Sequence, residues 1–276
     1  MSKKKIERMI DGMSLFDDDL MSRVFENNIP ATRIMLEAIL GRAVHIISSR
    51  GQVELNNPME KGRNIRLDIH AVEENGTHFN CEVQRKNSGA DPRRARFNAA
   101  MLDSRMLKEG QDFKELPASY VIFMTEKDYF KAGKPLYRIE RRLDGKRKGQ
   151  TFGDGSHILY VNGAYEGDDP IGKLMADFRN RSLTGFNYKV LEDGVKRFKQ
   201  DKEGREIMCD AVEKYADGRY RQGIRQGKRE GKREGIAQGR ATLILDALRN
   251  GAAPEDLKIF GIEEDEVRKV MEKAGR

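Results

Sequence analysis

Cysteine and histidine are scarce in this chain, and long apolar runs are absent from it. Its 276 residues include two cysteines, Cys81 and Cys209, and four histidines, without the short spacings of a zinc site or a disulfide framework. No run of about 18 apolar residues occurs, and the charged start MSKKKIERM is not followed by an apolar core of the signal-peptide type. We therefore expect a protein of the reducing cytoplasm that neither is secreted nor spans a membrane.

Several enzyme signatures are missing as well. The sequence contains no GxSxG, no HExxH, no P-loop and no glycine-rich dinucleotide fingerprint. What is present is a chain with 38% hydrophobic and 35% charged residues, long enough for one main domain and an appendage.

The positive charge is concentrated near the C terminus. The formal net charge is +7, and residues 219–240 alone carry eight Lys or Arg against two Glu, a net +6. This distribution predicts a polyanionic partner for the tail and indicates nothing about the core.

Residues 66–86, RLDIHAVEENGTHFNCEVQRK, predict a β-hairpin because apolar and polar residues alternate on both sides of a Gly-containing turn. A three-residue loop of residues 74–76, with Gly76 in the left-handed conformation, keeps the two apolar faces together. The opposite face then carries Asp68 directly across from Glu82, with Gln84 two residues further on.

Two carboxylates facing each other across a strand pair lie roughly 5 Å apart and repel. The repulsion disappears if a cation lies between them, since carboxylates are hard ligands for Mg²⁺ or Mn²⁺ and an amide such as that of Gln84 can orient water. A metal held in this way can activate water and stabilise charge on a phosphodiester. The alternative is a solvated sheet face on which Asp68 and Glu82 are incidental.

Residues 1–60 look helical, and within them a helix is expected over residues 32–41, with Gly41 as its end. Glu37 lies off the apolar stripe of that helix. It is either an ordinary surface residue or a third carboxylate that points at the hairpin.

A second helix is predicted over residues 92–109, between the N-cap Asp91 and the terminating Gly110. Its first turns carry Arg93, Arg94 and Arg96, where the helix dipole disfavours positive charge. These arginines therefore have anions to meet, which are either DNA phosphates or carboxylates from elsewhere in the fold.

Further strands are predicted at residues 119–125, 137–143 and 157–163, with a solvated loop at 144–150. From residue 170 onward, apolar residues recur at helical spacing. Strands, helix and strands in this order favour an α/β fold with a mixed sheet.

The C-terminal part contains a glycine at every fourth position, namely Gly223, Gly227, Gly231, Gly235 and Gly239. Five glycines inside a helix cost roughly 5 kcal/mol. The segment is therefore either a flexible basic linker or, as we favour, a helix that self-associates along its glycine stripe. Residues 241–276 fit three short helices, a helix-turn-helix or an oligomerisation module.

Several segments together resemble one known family. RLDIH and, 14 residues after Asp68, CEVQ resemble the Asp and (Asp/Glu)-x-Lys pair of the PD-(D/E)XK nuclease superfamily. GQDFKELPASYVIFMTEKDYF, GDGSHILYVNGAY, DDPIGKLMADF, VKRFKQDKEGREIMC and the glycine repeat are similar to its transposase-related branch, the recombination-promoting nuclease/putative transposase proteins.

The resemblance implies a restriction-endonuclease-like core at residues 1–185, followed by a helical segment (186–240) and a small helical tail (241–276). It also implies Mg²⁺- or Mn²⁺-dependent cleavage of DNA in recombination or mobile elements. Asp68 and Glu82 correspond to the metal ligands, and Glu37 to the helix glutamate of many members.

Gln84 occupies the position of the superfamily's lysine, and Leu67 that of its proline. A glutamine cannot supply positive charge, so Lys86 is the candidate cation if the strand alternation continues to it. The rival hypothesis is a nuclease-fold protein that binds DNA or a partner without cutting, assembled into a homo-oligomer through its glycine repeat.

Overall fold

The computed structural model describes residues 2–86, 89–145 and 148–274, which form two compact units, residues 1–213 and 214–276. The strands are β1 (Ile46–Leu55), β2 (Ile65–Glu73), β3 (His78–Gln84), β4 (Ser119–Thr125), β5 (Leu136–Ile139) and β6 (Ser156–Asn162). The helices are α1 (Lys3–Asp11), α2 (Asp18–Phe25), α3 (Ile29–Leu40), α4 (Pro92–Asp103), α5 (Pro170–Arg179), α6 (Lys189–Lys199), α7 (Lys202–Arg249) and α8 (Glu264–Ala274). Short 3-10 helices span Phe113–Glu115 and Pro254–Phe260.

The six strands form one mixed sheet in the order β1-β2-β3-β4-β6-β5. The pairs β3/β4 and β4/β6 are parallel, and the other neighbours are antiparallel. A parallel neighbour requires a crossover connection, which α4 provides between β3 and β4. The predicted α/β class with a central mixed sheet flanked by helices and a C-terminal helical extension is confirmed.

The hairpin of β2 and β3 has the predicted register. Ile69 pairs with Cys81 and Ala71 with Phe79, while the Glu73 N–H donates to the Thr77 carbonyl at 2.9 Å. This pairing leaves residues 74–76 as a three-residue loop, and Gly76 has a φ of 85°. The left-handed conformation there favours glycine because it has no β-carbon.

The two faces of the sheet are covered by different helices. On one face, the main core contains Ile69, Cys81, Ile122 and Leu159, packed against side chains of α1, α2, α3, α5, α6 and the start of α7. On the other face, α4 packs Ala95 and Ala99 against a smaller group that includes Val121, Phe123 and Tyr160. The polar residues of the hairpin lie on this second face.

Three expectations about secondary structure are wrong in extent. The helical interpretation of residues 1–60 missed β1, whose polar SSRGQ stretch has no clean alternation and which is held by pairing with β2. The helix α4 ends at Asp103 rather than at residue 109, because the N–H groups of Arg105 and Met106 bond three residues back. The strand β5 covers four residues of the predicted 137–143 region. Residues 146 and 147 of the predicted loop lie outside the described residues.

The unit of residues 214–276 has its own small core of Ile244, Leu257, Ile262 and Val267. The glycine repeat lies within α7, so the predicted first tail helix is the end of that longer helix. Gly261 closes the 3-10 helix in the left-handed conformation, and α8 follows. The predicted domain limits at residues 185 and 240 stay predictions. In the described part of the chain, no helix combines the length and the apolar character that a membrane span needs.

Candidate active site

The carboxylates of Asp68 and Glu82 lie on the α4 side of the hairpin. Because Ile69 pairs with Cys81, Asp68 falls opposite Glu82, and Asp68 Oδ2 accepts a hydrogen bond from the Val83 N–H at 3.1 Å. Asp68 is 7% exposed and Glu82 is fully buried. The solvation expected under the alternative interpretation is therefore wrong, because both carboxylates are buried and two α4 residues contact Glu82.

Burial perturbs both acids, and the charge of Glu82 adds to its effect at Asp68. Burial, followed by the nearby charge of Glu82 and then that of Asp18, raises the pKa of Asp68 to about 7. Burial also raises the pKa of Glu82, opposed by the charge of Arg94 and by hydrogen bonds to the carboxylate. A pair of buried acids that resists ionisation in this way favours the arrival of a cation.

The helix α4 places two donors on Glu82. Arg94 Nη2 donates to Glu82 Oε2 at 2.5 Å, and Asn98 Nδ2 donates to Oε1 at 2.6 Å. Asn80 Nδ2, from the same strand as Glu82, donates to Oε1 at 3.1 Å. Arg94 and Asn98 reach one carboxylate together because residues four apart lie on the same side of a helix.

A family model described as PD-(D/E)XK nuclease family transposase matches residues 24–163. This chain belongs to that family. The matched region contains all six strands together with α3 and α4. No curated protein and no solved structure matches the chain. The resemblance of the sequence motifs to the transposase-related branch of the superfamily is thereby confirmed.

Gln84, at the place of the superfamily's lysine, is the last residue of β3 and is half-buried. A β-carbon built on Gly89 would lie 1.7 Å from Gln84 Oε1. The turn after β3 therefore packs directly on the Gln84 amide, and a larger residue at position 89 would push that amide aside.

Lys86 does not lie on the strand face that carries Glu82 and Gln84. The strand β3 ends at Gln84, and the chain then turns, with the Gly89 N–H bonded to the Lys86 carbonyl at 2.9 Å. The side chain of Lys86 is exposed. The expectation failed because it extended the strand alternation past the end of the strand.

Glu37 is not a third carboxylate of this site. It accepts a hydrogen bond from the Val44 N–H at 3.3 Å, and its helix α3 packs into the main core on the opposite face of the sheet. The described residues contain no cluster of three acids in which Glu37 joins Asp68 and Glu82. The correspondence to the superfamily's helix glutamate is therefore wrong for this residue.

Asp18, at the start of α2, is the further acid whose charge raises the pKa of Asp68. It is paired with Arg66 at 3.3 Å. The run of three aspartates at the start of α2 could have indicated an acid near the site. Acids are common at helix N termini, however, because they cap the helix and interact favourably with its dipole, so the run did not point to Asp68. The sequence analysis also did not predict Asn98 as a site residue. Its position one turn after Arg94 and next to Ala99 places a polar side chain in the buried stripe of α4, which is a signal for a specific contact.

The three arginines of α4 differ from one another. In this structure Arg94 forms an ion pair with the carboxylate of Glu82, which is the alternative to a DNA phosphate contact. Arg93 and Arg96 are exposed on the first turns of the helix. For these two, contact with DNA phosphate stays a prediction.

The acids fit the divalent cation that nucleases of this family imply. Asp68 and Glu82 offer hard oxygen ligands, and Asn80 Oδ1, buried beside Glu82, has no hydrogen-bond partner within the described residues. Those residues contain no cluster of three His, Cys, Asp or Glu side chains suited to a metal. This is compatible with Mg²⁺, which typically uses one or two carboxylates and takes its other ligands from water and substrate phosphates.

Proposed function

We propose that this protein is a metal-dependent DNA endonuclease that hydrolyses phosphodiester bonds in recombination or in mobile elements. The observation that carries the proposal is the pair of buried, opposed carboxylates, Asp68 and Glu82, within a nuclease fold. A buried pair of like charges costs folding free energy, and such perturbed acids are typical of functional sites.

In this proposal Asp68 and Glu82 hold Mg²⁺ or Mn²⁺, which when bound supplies an activated water and stabilises negative charge on phosphate. Gln84, packed against Gly89, orients water or a phosphate oxygen through hydrogen bonds of its amide. Arg93 and Arg96 contact the DNA backbone from the first turns of α4.

A second candidate function is DNA binding without cleavage. The observation that favours it is the glutamine at position 84, which cannot provide the positive charge of the superfamily's lysine. The two functions make opposite predictions for purified protein incubated with plasmid DNA and a divalent metal.

The test uses two isosteric variants, Asp68→Asn and Glu82→Gln, and the control Glu74→Gln, whose carboxylate is exposed in the loop of the same hairpin. We expect the wild type and the control to nick or linearise the plasmid with Mg²⁺ or Mn²⁺, and each site variant to lose at least about 100-fold in rate. Cleavage that persists in both site variants would refute the site. Plasmid that stays intact with wild-type protein under both metals would favour the second function.

We also propose that the chain forms a homo-oligomer through the glycine repeat. Gly223 through Gly239 lie in α7, and a β-carbon on any of these glycines would meet no described atom within 4 Å. The surrounding residues 220–239 are exposed apart from the undescribed side chain at position 222. Such a stripe permits the close approach of a second helix, whose contacts would offset the low helix propensity of glycine.

A further inference from the structure

The guanidinium of Arg94 occupies the position on Glu82 that a metal needs. Glu82 Oε1 already accepts hydrogen bonds from the Asn80 and Asn98 amides, which leaves Oε2 as the oxygen for a cation. Arg94 Nη2 lies 2.5 Å from that oxygen. A divalent cation and a guanidinium cannot share it at low cost, because their positive charges repel at short range beside a buried carboxylate.

Arg94 has somewhere to go when it leaves Glu82. Its side chain is 38% exposed, whereas the Glu82 side chain is fully buried. Nη1 is anchored on the Gly89 carbonyl at 3.0 Å, and the guanidinium carbon lies 5.8 Å from the centre of the Phe123 ring. These contacts keep the group at the rim of the site after the bond to Glu82 breaks.

A guanidinium binds phosphate with the same fork of donors that it uses for carboxylate. The two interpretations of Arg94, a carboxylate partner and a phosphate partner, therefore describe two states of one side chain. We propose that Arg94 is a switching counter-ion, which holds Glu82 until a divalent cation takes over that carboxylate and then contacts a phosphate of the DNA. Only the second of these contacts, that of Arg94 with a DNA phosphate, rests on the proposed nuclease function.

The first measurement is the affinity for Mn²⁺, followed by the EPR signal of the free ion at mildly alkaline pH. We expect Arg94→Gln to bind Mn²⁺ about tenfold more tightly than the wild type, because a competing positive charge is gone. The matched control is Arg42→Gln, which removes an arginine from a different buried carboxylate, Glu73, at 2.7 Å. The control should bind Mn²⁺ with wild-type affinity.

The second measurement is the affinity for a DNA duplex in Ca²⁺, by fluorescence anisotropy. Arg94→Gln should bind DNA about tenfold more weakly than the wild type although it binds metal more tightly, since a charged phosphate contact is lost. An arginine that only maintained the local fold would weaken both affinities when replaced. Arg94→Lys, which keeps the charge but not the fork of donors, should restore part of the DNA affinity.

A folded Arg94→Gln variant that binds Mn²⁺ no more tightly than the wild type would overturn the proposal. If this variant does not fold, the wild-type protein provides the test. Addition of Mg²⁺ should shift the NMR resonance of the Arg94 Nε–H group, because the guanidinium leaves Glu82. A resonance that does not move would overturn the proposal. Intact plasmid together with the expected Mn²⁺ affinities would refute the nuclease function and support the counter-ion role.

Discussion

Replacement of Asp68 by asparagine should stabilise the protein strongly at alkaline pH and much less at acidic pH. Asp68 is 7% exposed and faces a second buried acid, and its pKa rises from an ordinary 3.8 to about 7 in the folded state. Asparagine has nearly the same shape, and its side-chain oxygen can still accept the hydrogen bond from the Val83 N–H. The substitution therefore removes the charge and keeps the packing.

The sign of the effect follows from proton linkage. Between pH 3.8 and about 7 the folded state holds a proton on Asp68 that the unfolded state has released, so the free energy of unfolding falls as pH rises. The loss of stability caused by the charge of Asp68 is complete above the folded-state pKa of about 7 and absent below the unfolded-state pKa of 3.8. At about 1.4 kcal/mol per pKa unit, the ceiling is about 4 kcal/mol, or a rise in Tm of about 10 °C for a domain of this size.

The assay is thermal unfolding in EDTA at about pH 4.5 and about pH 8.5, on either side of the folded pKa; at the lower pH only about 1 kcal/mol of this loss of stability remains, because that pH lies just above the unfolded pKa. Glu74→Gln, which neutralises an exposed carboxylate of the same hairpin, is the control and should change Tm little at either pH. Added Mg²⁺ should stabilise the wild type more than Asp68→Asn, because only the wild type keeps both acids. A gain in Tm of equal size at both pH values, or a loss at pH 8.5, would refute the argument.

Two further predictions concern α4 and the repeat. Asn98→Ala should lower the free energy of unfolding by about 1–3 kcal/mol, because Glu82 loses a buried hydrogen-bond donor at 2.6 Å. Urea unfolding measures this loss, with the exposed substitution Ala100→Ser as control. An Asn98→Ala variant as stable as the wild type would contradict the hydrogen bond from Asn98 to Glu82. Replacement of Gly227, Gly231 and Gly235 by glutamine should raise the helix content, measured by circular dichroism, and reduce the mass of the oligomer, measured by light scattering. The control is Gln226→Ala, which lies off the glycine stripe. If the triple variant has the same mass as this control, the stripe is not the interface.

The hairpin could be predicted from the sequence because its register depends on local alternation and on one turn. Residues 65–84 carry both signals, and a slip of one strand by one residue would have turned its apolar side chains, such as Ile69, onto the face that carries the acids. The strands β4 and β6 were also predictable, since continuous apolar runs are typical of strands covered on both faces. The edge strand β1 carries neither signal, and its pairing with β2 is set by tertiary contacts.

The candidate site was only half predictable for a related reason. Alternation places Asp68 opposite Glu82, but it does not reveal what covers them. The contacts of Arg94 and Asn98 with Glu82 depend on how α4 lies across the sheet. The position of Glu37 likewise depends on which face α3 covers, and a helix pattern alone does not distinguish the two faces.

The arrangement around Glu82 is hard to explain by stability alone. A buried ion pair seldom stabilises a fold more than apolar residues of the same volume, and the second acid, Asp68, adds repulsion that Arg94 offsets only in part. A sheet face that needed only to pack against α4 could continue the apolar surface of Val121 and Phe123. Two acids and one arginine at the edge of that surface are what the proposed cation site requires. In the proposed exchange, Arg94 offsets part of the repulsion between the buried acids until the cation replaces it.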